Sequence, residues 1–176
     1  MGRFTDTMNM ASGFTFKRMQ NGASILSSYQ YSRLRGVAEI KGMPVSISIE
    51  PTTSCNLRCP ECPSGLRSFT RATGMLDQSM FRSVIDQLTE TLSYLTFYFQ
   101  GEPYLNPQFL EMTSYASDKG IYTATSTNAH YLNDSAARAT VESGLDRLII
   151  SIDGTTQESY ESYRIGGNLD KVIEGT

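Results

Sequence analysis

No stretch of this chain approaches the ~18–20 consecutive apolar residues that a membrane-spanning helix needs, so the sequence offers no membrane span. The opening residues, Met1-Gly-Arg-Phe-Thr-Asp-Thr-Met, hold no apolar segment of the kind that marks a secretory signal. A basic surplus is also missing. Fifteen Lys and Arg stand against 18 Asp and Glu, a net charge of -3, so there is no electrostatic footprint of a nucleic-acid binder. Histidine occurs once, at His130, and tryptophan not at all. Cysteine is confined to one eight-residue segment. An odd number in one tight group is no disulfide framework, and it points to a reducing, cytoplasmic setting. At 176 residues, 39% hydrophobic and 19% charged, the chain suits one α/β domain. A chain of this size buries about 70% of the surface it exposes when unfolded.

What is present is concentrated in Thr53-Ser-Cys-Asn-Leu-Arg-Cys-Pro-Glu-Cys-Pro63, which carries Cys55, Cys59 and Cys62. Thiolates gathered this closely after a strand-like run can converge on one metal centre. A structural zinc site or an ordinary four-iron cluster takes four protein ligands, so three thiolates leave one coordination position open for chemistry. Two other readings stand beside the cluster. One is a zinc site completed by His130, although zinc usually pairs its ligands and no second pair exists here. The other is a redox-sensing set of thiols. Pro60 and Pro63 stiffen the loop, and Asn56 and Arg58 are candidate donors to the sulfurs.

The rest of the chain alternates between strand and helix patterns. Residues 1–20 read as a loose polar lead-in, and residues 23–35 as a short helix ending at Gly36, with Arg33 and Arg35 placed to suit its dipole. Strands are expected from Val45 to Glu50, Tyr94 to Gln100, Ile121 to Thr127 and Leu148 to Ile152. The last is nearly all apolar, as expected of a parallel strand covered on both faces. Helices are expected after Asp77, after Asn106-Pro107, after Asp134 and from about Asn168. Repeated β-α-β units imply right-handed crossovers and a parallel sheet with its site at the strand C-terminal ends. Four such units cannot close an eight-stranded barrel, which takes about 250 residues.

Residues 55–62, with spacing C-x3-C-x2-C, resemble the cluster loop of the radical S-adenosylmethionine (radical SAM) enzymes. The flanking Glu50-Pro-Thr-Thr-Ser-Cys-Asn-Leu-Arg-Cys-Pro resembles the branch that usually carries a SPASM or twitch extension. Gly101-Glu102-Pro103, Ser126-Thr127-Asn128 and Ser151-Ile152-Asp153-Gly154 follow in order, each at the end of an expected strand. The resemblance covers residues 45–175. It implies a partial (βα)6 TIM-like barrel, of which about four βα units are present. The division is then a lead-in over residues 1–40 and a core domain over 41–176. By this analogy the chain is an N-terminal fragment, lacking two strands, part of the adenosyl pocket and any auxiliary-cluster domain.

The resemblance also implies the chemistry. A [4Fe–4S] cluster on Cys55, Cys59 and Cys62 binds S-adenosylmethionine at its open iron. Reductive cleavage then gives a 5′-deoxyadenosyl radical that abstracts hydrogen from a substrate. A flavodoxin- or ferredoxin-type partner would supply the electron, and a peptide or protein is the expected substrate class. Glu102 matches the family residue that meets the methionyl ammonium, and Ser151 one that contacts the ribose. Asn128 and Asp153 lie at strand ends that can line the pocket, where Asx turns are the alternative. Arg164 matches an arginine that can reach the cofactor carboxylate. Two departures are visible. Gln100 stands where a glycine is usual, and Glu61 where an apolar residue usually packs near the adenine, leaving Tyr98 and Phe99 as substitutes. The alternative function is a non-catalytic zinc or iron–sulfur module, or a degenerate homologue.

Overall fold

The structure, a computed structural model, describes residues 2–176. Four parallel strands form one sheet in sequential order: β1 (Ser46–Ser48), β2 (Tyr94–Thr96), β3 (Tyr122–Thr127) and β4 (Arg147–Ile150). Each crossover carries helix: α3 (Pro63–Leu66) and α4 (Gln78–Leu88) between β1 and β2, α5 (Phe109–Asp118) before β3, and α6 (Asp134–Glu142) before β4. After β4 come α7 (Gln157–Glu161) and α8 (Leu169–Glu174). This is the α/β architecture of a partial TIM-like barrel.

Register explains how the two faces of the sheet differ. Side chains alternate along a strand, so Ile47, Leu95 and Thr123, aligned across three strands, share one face. That outer face meets the helices. Phe81 and Ile85 of α4 and Phe109 and Met112 of α5 close over Leu95 and Phe97, all essentially without solvent exposure. The ring of Phe97 lies 5.5 Å from Phe81 and 5.4 Å, edge-on, from Phe109. On the opposite, inner face Tyr94 stacks on its register partner Tyr122 at 5.0 Å. A second cluster holds Ala129, Leu132, Tyr160, Leu169 and Val172, with Leu148 and Ile150 of β4 packed against it.

The expectation that β4 is covered on both faces is wrong. Leu148 and Ile150 pack against helices, whereas Arg147 and Ile149, on the inner face, are exposed, Ile149 to 39%, with Arg147 held there by Asp6. The apolar run reports one packed face, with Ile149 on the face left open. β1, β2 and β4 end before the residues expected, because their C-terminal residues turn into the loops of the candidate site, whereas β3 runs to Thr127 as expected.

The loose lead-in also needs correcting. Apart from Met1, which lies outside the described residues, it is helical: α1 spans Gly2–Ser12 and α2 spans Phe16–Arg35. Thr15 caps α2, accepting from the Arg18 backbone N–H. Its Ser, Thr and Asn content lowers intrinsic helix propensity, and tertiary contacts override that. Arg18 is only 4% exposed, and its guanidinium donates to the carbonyls of Gly13 (2.6 Å), Thr89 (2.9 Å), Lys119 (3.0 Å) and Gly120. Thr89 and Lys119 end α4 and α5, so one cation satisfies carbonyls left open at two helix ends. Asp6 of α1 accepts from the Tyr122 hydroxyl and from Arg147, fixing α1 at the N-terminal end of the sheet.

Smaller boundary shifts have local causes. Asn106 does not cap α5. Its amide nitrogen donates to Pro51 O (2.7 Å) and Leu76 O (3.1 Å), and it ends a 3₁₀ turn over Pro103–Leu105. Asn133, not Asp134, caps α6, accepting from Ala136 N–H at 2.9 Å. The short α7, unanticipated, starts from a reciprocal capping box between Thr156 and Ser159.

Candidate functional site

A cleft of about 200 Å³ opens at the C-terminal ends of the strands, lined by Cys55, Cys59, Cys62, Glu102, Asn128, Ser151 and Arg164 among others. Seven of the eight site residues expected from the sequence therefore line one cleft. The eighth, Asp153, is exposed and pairs instead with the Arg164 guanidinium.

The cysteine segment is held by backbone. Thr53 N–H donates to Gly74 O at 3.1 Å, Leu76 N–H to Pro51 O at 2.9 Å, and Arg58 N–H to Ile165 O at 3.0 Å. Cys62 sits before α3, with Pro63 at the first helical position, where its missing N–H costs nothing. Two glycines permit the packing. A Cβ on Gly65 would lie 2.4 Å from Cys59 O. On Gly101, which has φ +80°, it would lie 2.0 Å from Thr52 O. At both positions the clash is with backbone, so no larger residue fits without moving the loop.

Burial pushes the thiols of Cys55 and Cys59 up from their ordinary value, opposed at Cys59 by the charge of Arg164. Three donors face the sulfurs: Leu57 N–H at 3.4 Å and Asn128 Nδ2 at 3.8 Å from Cys55, and an Arg164 guanidinium nitrogen at 4.0 Å from Cys59. The expected donors differ from these. Asn56 accepts, through Oδ1, from Asn128 Nδ2 at 2.8 Å, and Arg58 contributes only its backbone.

Glu102 is 2% exposed, so it is no surface turn residue. Its Oε1 accepts from Thr127 Oγ1 at 2.7 Å and from Tyr104 N–H at 3.4 Å, and its Oε2 from Asn128 N–H at 2.8 Å. Burial raises its pKa, and these three donors pull it back. Among the described residues no ion pair includes Glu102. A buried carboxylate that lines a cleft and forms no ion pair there suits a ligand ammonium. The part played by Thr127 in holding Glu102 was not visible in the sequence, because a strand-end threonine has no distinguishing pattern. Ser126 and Ser151 face each other across β3 and β4, Oγ to Oγ at 3.2 Å.

Tyr98 and Phe99 line the cleft, as does Tyr163, whereas Glu61 is exposed and outside the lining. His130 is half-buried. Nε2 accepts from Asn168 N–H at 2.8 Å, and Nδ1 lies 3.0 Å from both Asn128 O and Asn128 Oδ1. Both ring nitrogens are thus engaged away from the thiols, unlike those of a zinc ligand. Among the described residues, no three His, Cys, Asp or Glu side chains converge tightly enough to hold a single metal ion. A four-iron cluster places each thiolate on a different iron. Three thiols lining one cleft, with donors to two of them, are a donor set that fits such a group.

The radical SAM superfamily model matches residues 49–176. The chain belongs to the radical SAM superfamily. It is 28% identical over 133 residues to an AdoMet-dependent heme synthase of Methanosarcina barkeri (strain Fusaro / DSM 804), covering 75% of this chain and 38% of that protein. It is 29% identical over 131 residues to a PqqA peptide cyclase of Rhodopseudomonas palustris (strain ATCC BAA-98 / CGA009), covering 74% of this chain and 34% of that one. The chain thus spans only 34–38% of the length of these two curated relatives. Among solved structures, anSMEcpe with bound AdoMet superposes with a TM-score of 0.62 at 25% identity, over 75% of this chain and 39% of that one. Streptococcus suis SuiB bound to S-adenosylmethionine gives 0.63 at 15% identity, over 85% and 33%, a likeness of fold alone. No helix among the described residues is long and apolar enough to cross a membrane.

Proposed function

We propose that this chain is the core of a radical SAM enzyme, an oxidoreductase or modifying enzyme of the SPASM or twitch type, acting on a peptide or protein. The observation that carries the reading is the convergence of three thiols and a buried carboxylate, outside every ion pair of the described residues, on one cleft at the strand C-terminal ends. A relative named as a peptide cyclase supports the substrate class.

Cys55, Cys59 and Cys62 would hold a [4Fe–4S] cluster and leave one iron for S-adenosylmethionine. When bound, the pair supplies one-electron bond cleavage and hydrogen-atom abstraction. The chain itself binds and orients. Glu102, kept in place by Thr127, Tyr104 and Asn128, would receive the methionyl ammonium. Arg164, braced by Asp153, would meet the cofactor carboxylate, and Ser151 with Ser126 would offer hydroxyls to the ribose. Tyr98 and Phe99 provide the aromatic surface that Glu61 does not. The electron comes from a flavodoxin- or ferredoxin-type partner, in a reducing, cytoplasmic compartment.

The test is anaerobic loading with iron and sulfide, followed by titration with S-adenosylmethionine while the electron paramagnetic resonance of the reduced cluster is recorded. The reading predicts that the cofactor alters the signal. A signal unchanged at saturating S-adenosylmethionine would contradict it.

A further inference from the structure

The sole histidine joins the last helix to the cysteine loop through one asparagine, and the direction of each hydrogen bond is fixed by chemistry. Asn168 precedes α8, and its backbone N–H can only donate. His130 Nε2, 2.8 Å away, must therefore be the bare, accepting nitrogen. The neutral ring then carries its proton on Nδ1, 3.0 Å from Asn128 Oδ1 and 3.0 Å from Asn128 O. The backbone N–H of His130 also points at Asn128 Oδ1, at 3.1 Å. Two donors on one side chain oxygen decide the orientation of the amide, because a flipped amide would set NH₂ against both. The NH₂ group is thereby turned towards Cys55 Sγ at 3.8 Å and Asn56 Oδ1 at 2.8 Å.

The surroundings keep this arrangement rigid. Asn128 is buried, and Ala129, fully buried, holds a left-handed conformation at φ +61° that turns the chain between Asn128 and His130. The imidazole stacks on buried Tyr160 at 6.5 Å, within the cluster that also contains Leu169 and Val172 of α8. Hydrogen bonds to cluster sulfurs are among the determinants of an iron–sulfur potential, and partners behind the ligands orient such donors.

We propose that His130 is a positioning residue. Its Nδ1–H tautomer, set by the N-terminus of α8, holds the Asn128 amide as a donor to Cys55 and so raises the reduction potential of the cluster bound there. This rests on the functional reading above. A donor to a ligand thiolate favours the more negative, reduced cluster, so its loss shifts the potential downward.

The experiment uses the full chain in five forms: unsubstituted, His130→Phe, His130→Gln, Asn128→Leu and the double variant His130→Phe/Asn128→Leu. Nitrogen NMR of the ¹⁵N-histidine-labelled, metal-free chain at alkaline pH reads a single ring, and it should show protonated Nδ1 and bare Nε2. After anaerobic loading, redox titration without S-adenosylmethionine should show a more negative midpoint in His130→Phe. Asn128→Leu should give the same shift, and the double variant no further one. His130→Gln, whose amide can both donate to Asn128 and accept from Asn168, should stay near the unsubstituted value. A proton on Nε2 overturns the proposal, as does a His130→Phe midpoint equal to that of the unsubstituted protein. Loss of thermal stability alone, with the midpoint unchanged, makes His130 merely structural and overturns it too. If His130→Phe does not fold, the ring tautomer and the Asn128→Leu midpoint decide. Failure of the unsubstituted chain to take up iron and sulfide removes the functional reading itself, and this inference with it.

Discussion

Asn128 donates its backbone N–H to Glu102 Oε2 at 2.8 Å, tying the residue that follows β3 to the loop that follows β2. The carboxylate is thus fixed by three donors before any ligand arrives, and its charge has no partner among the ion pairs of the described residues.

Replacing Glu102 by Gln keeps the shape and removes the charge. A charge-assisted hydrogen bond is worth ~1.5–3 kcal/mol, so S-adenosylmethionine affinity should fall about ten- to over a hundredfold. Iron and sulfide content should be unchanged. Calorimetric titration of the loaded variant checks this, and unaltered affinity would assign Glu102 to packing only.

Gly101→Ala sets a Cβ 2.0 Å from a backbone oxygen at a residue with φ +80°. Strain and forced displacement together should cost at least about 2 kcal/mol. Denaturant unfolding should show a lower midpoint, and a value equal to that of the parent would mean that the Thr52 loop is freer than the packing indicates.

Arg18→Met leaves four carbonyls without their donor while preserving much of the side-chain volume. Loss of a hydrogen-bonded buried cation should destabilise the fold by about 2–4 kcal/mol. The signature in hydrogen exchange is early loss of protection in α1 and α2, ahead of β3. Uniform loss across the chain would argue against a local anchor.

The contact of Asp6 with Tyr122 and Arg147 gives the docking of α1 a pH dependence. The hydrogen bond from Tyr122, then that from Arg147, lowers the Asp6 pKa below its ordinary value, so its contribution is present above about pH 4 and lost as pH falls further. Burial and the same hydrogen bond raise the Tyr122 pKa. Its contribution is therefore whole below about pH 10 and lost at higher pH. Protection of α1 amides should be flat between these limits and fall on both sides, and Asp6→Asn should flatten the acid limb.

Much of the candidate site was legible because the chemistry proposed for it needs particular residue types at fixed spacing. Cys55, Cys59 and Cys62 could be found without any fold, and Glu102 and Ser151 fell at strand ends that the β-α repeat located. The helical lead-in was hidden for a different reason. Its stability comes from Arg18, whose acceptors Thr89, Lys119 and Gly120 lie some seventy to one hundred residues away in sequence. The apolar run of β4 misled because alternation cannot be seen when Ile149, on the uncovered face, is as hydrophobic as Leu148. Asn128 read as a strand-end residue, and only the folded arrangement places its amide between Cys55 and His130.

The most direct test of the whole account is the composition of the metal centre. After anaerobic reconstitution the chain should hold about four iron and four sulfide per molecule, as one oxygen-sensitive cluster. Replacing Cys55, Cys59 or Cys62 singly by Ala should remove most of both. Stoichiometric zinc without sulfide, or iron and sulfide retained in all three variants, would contradict it.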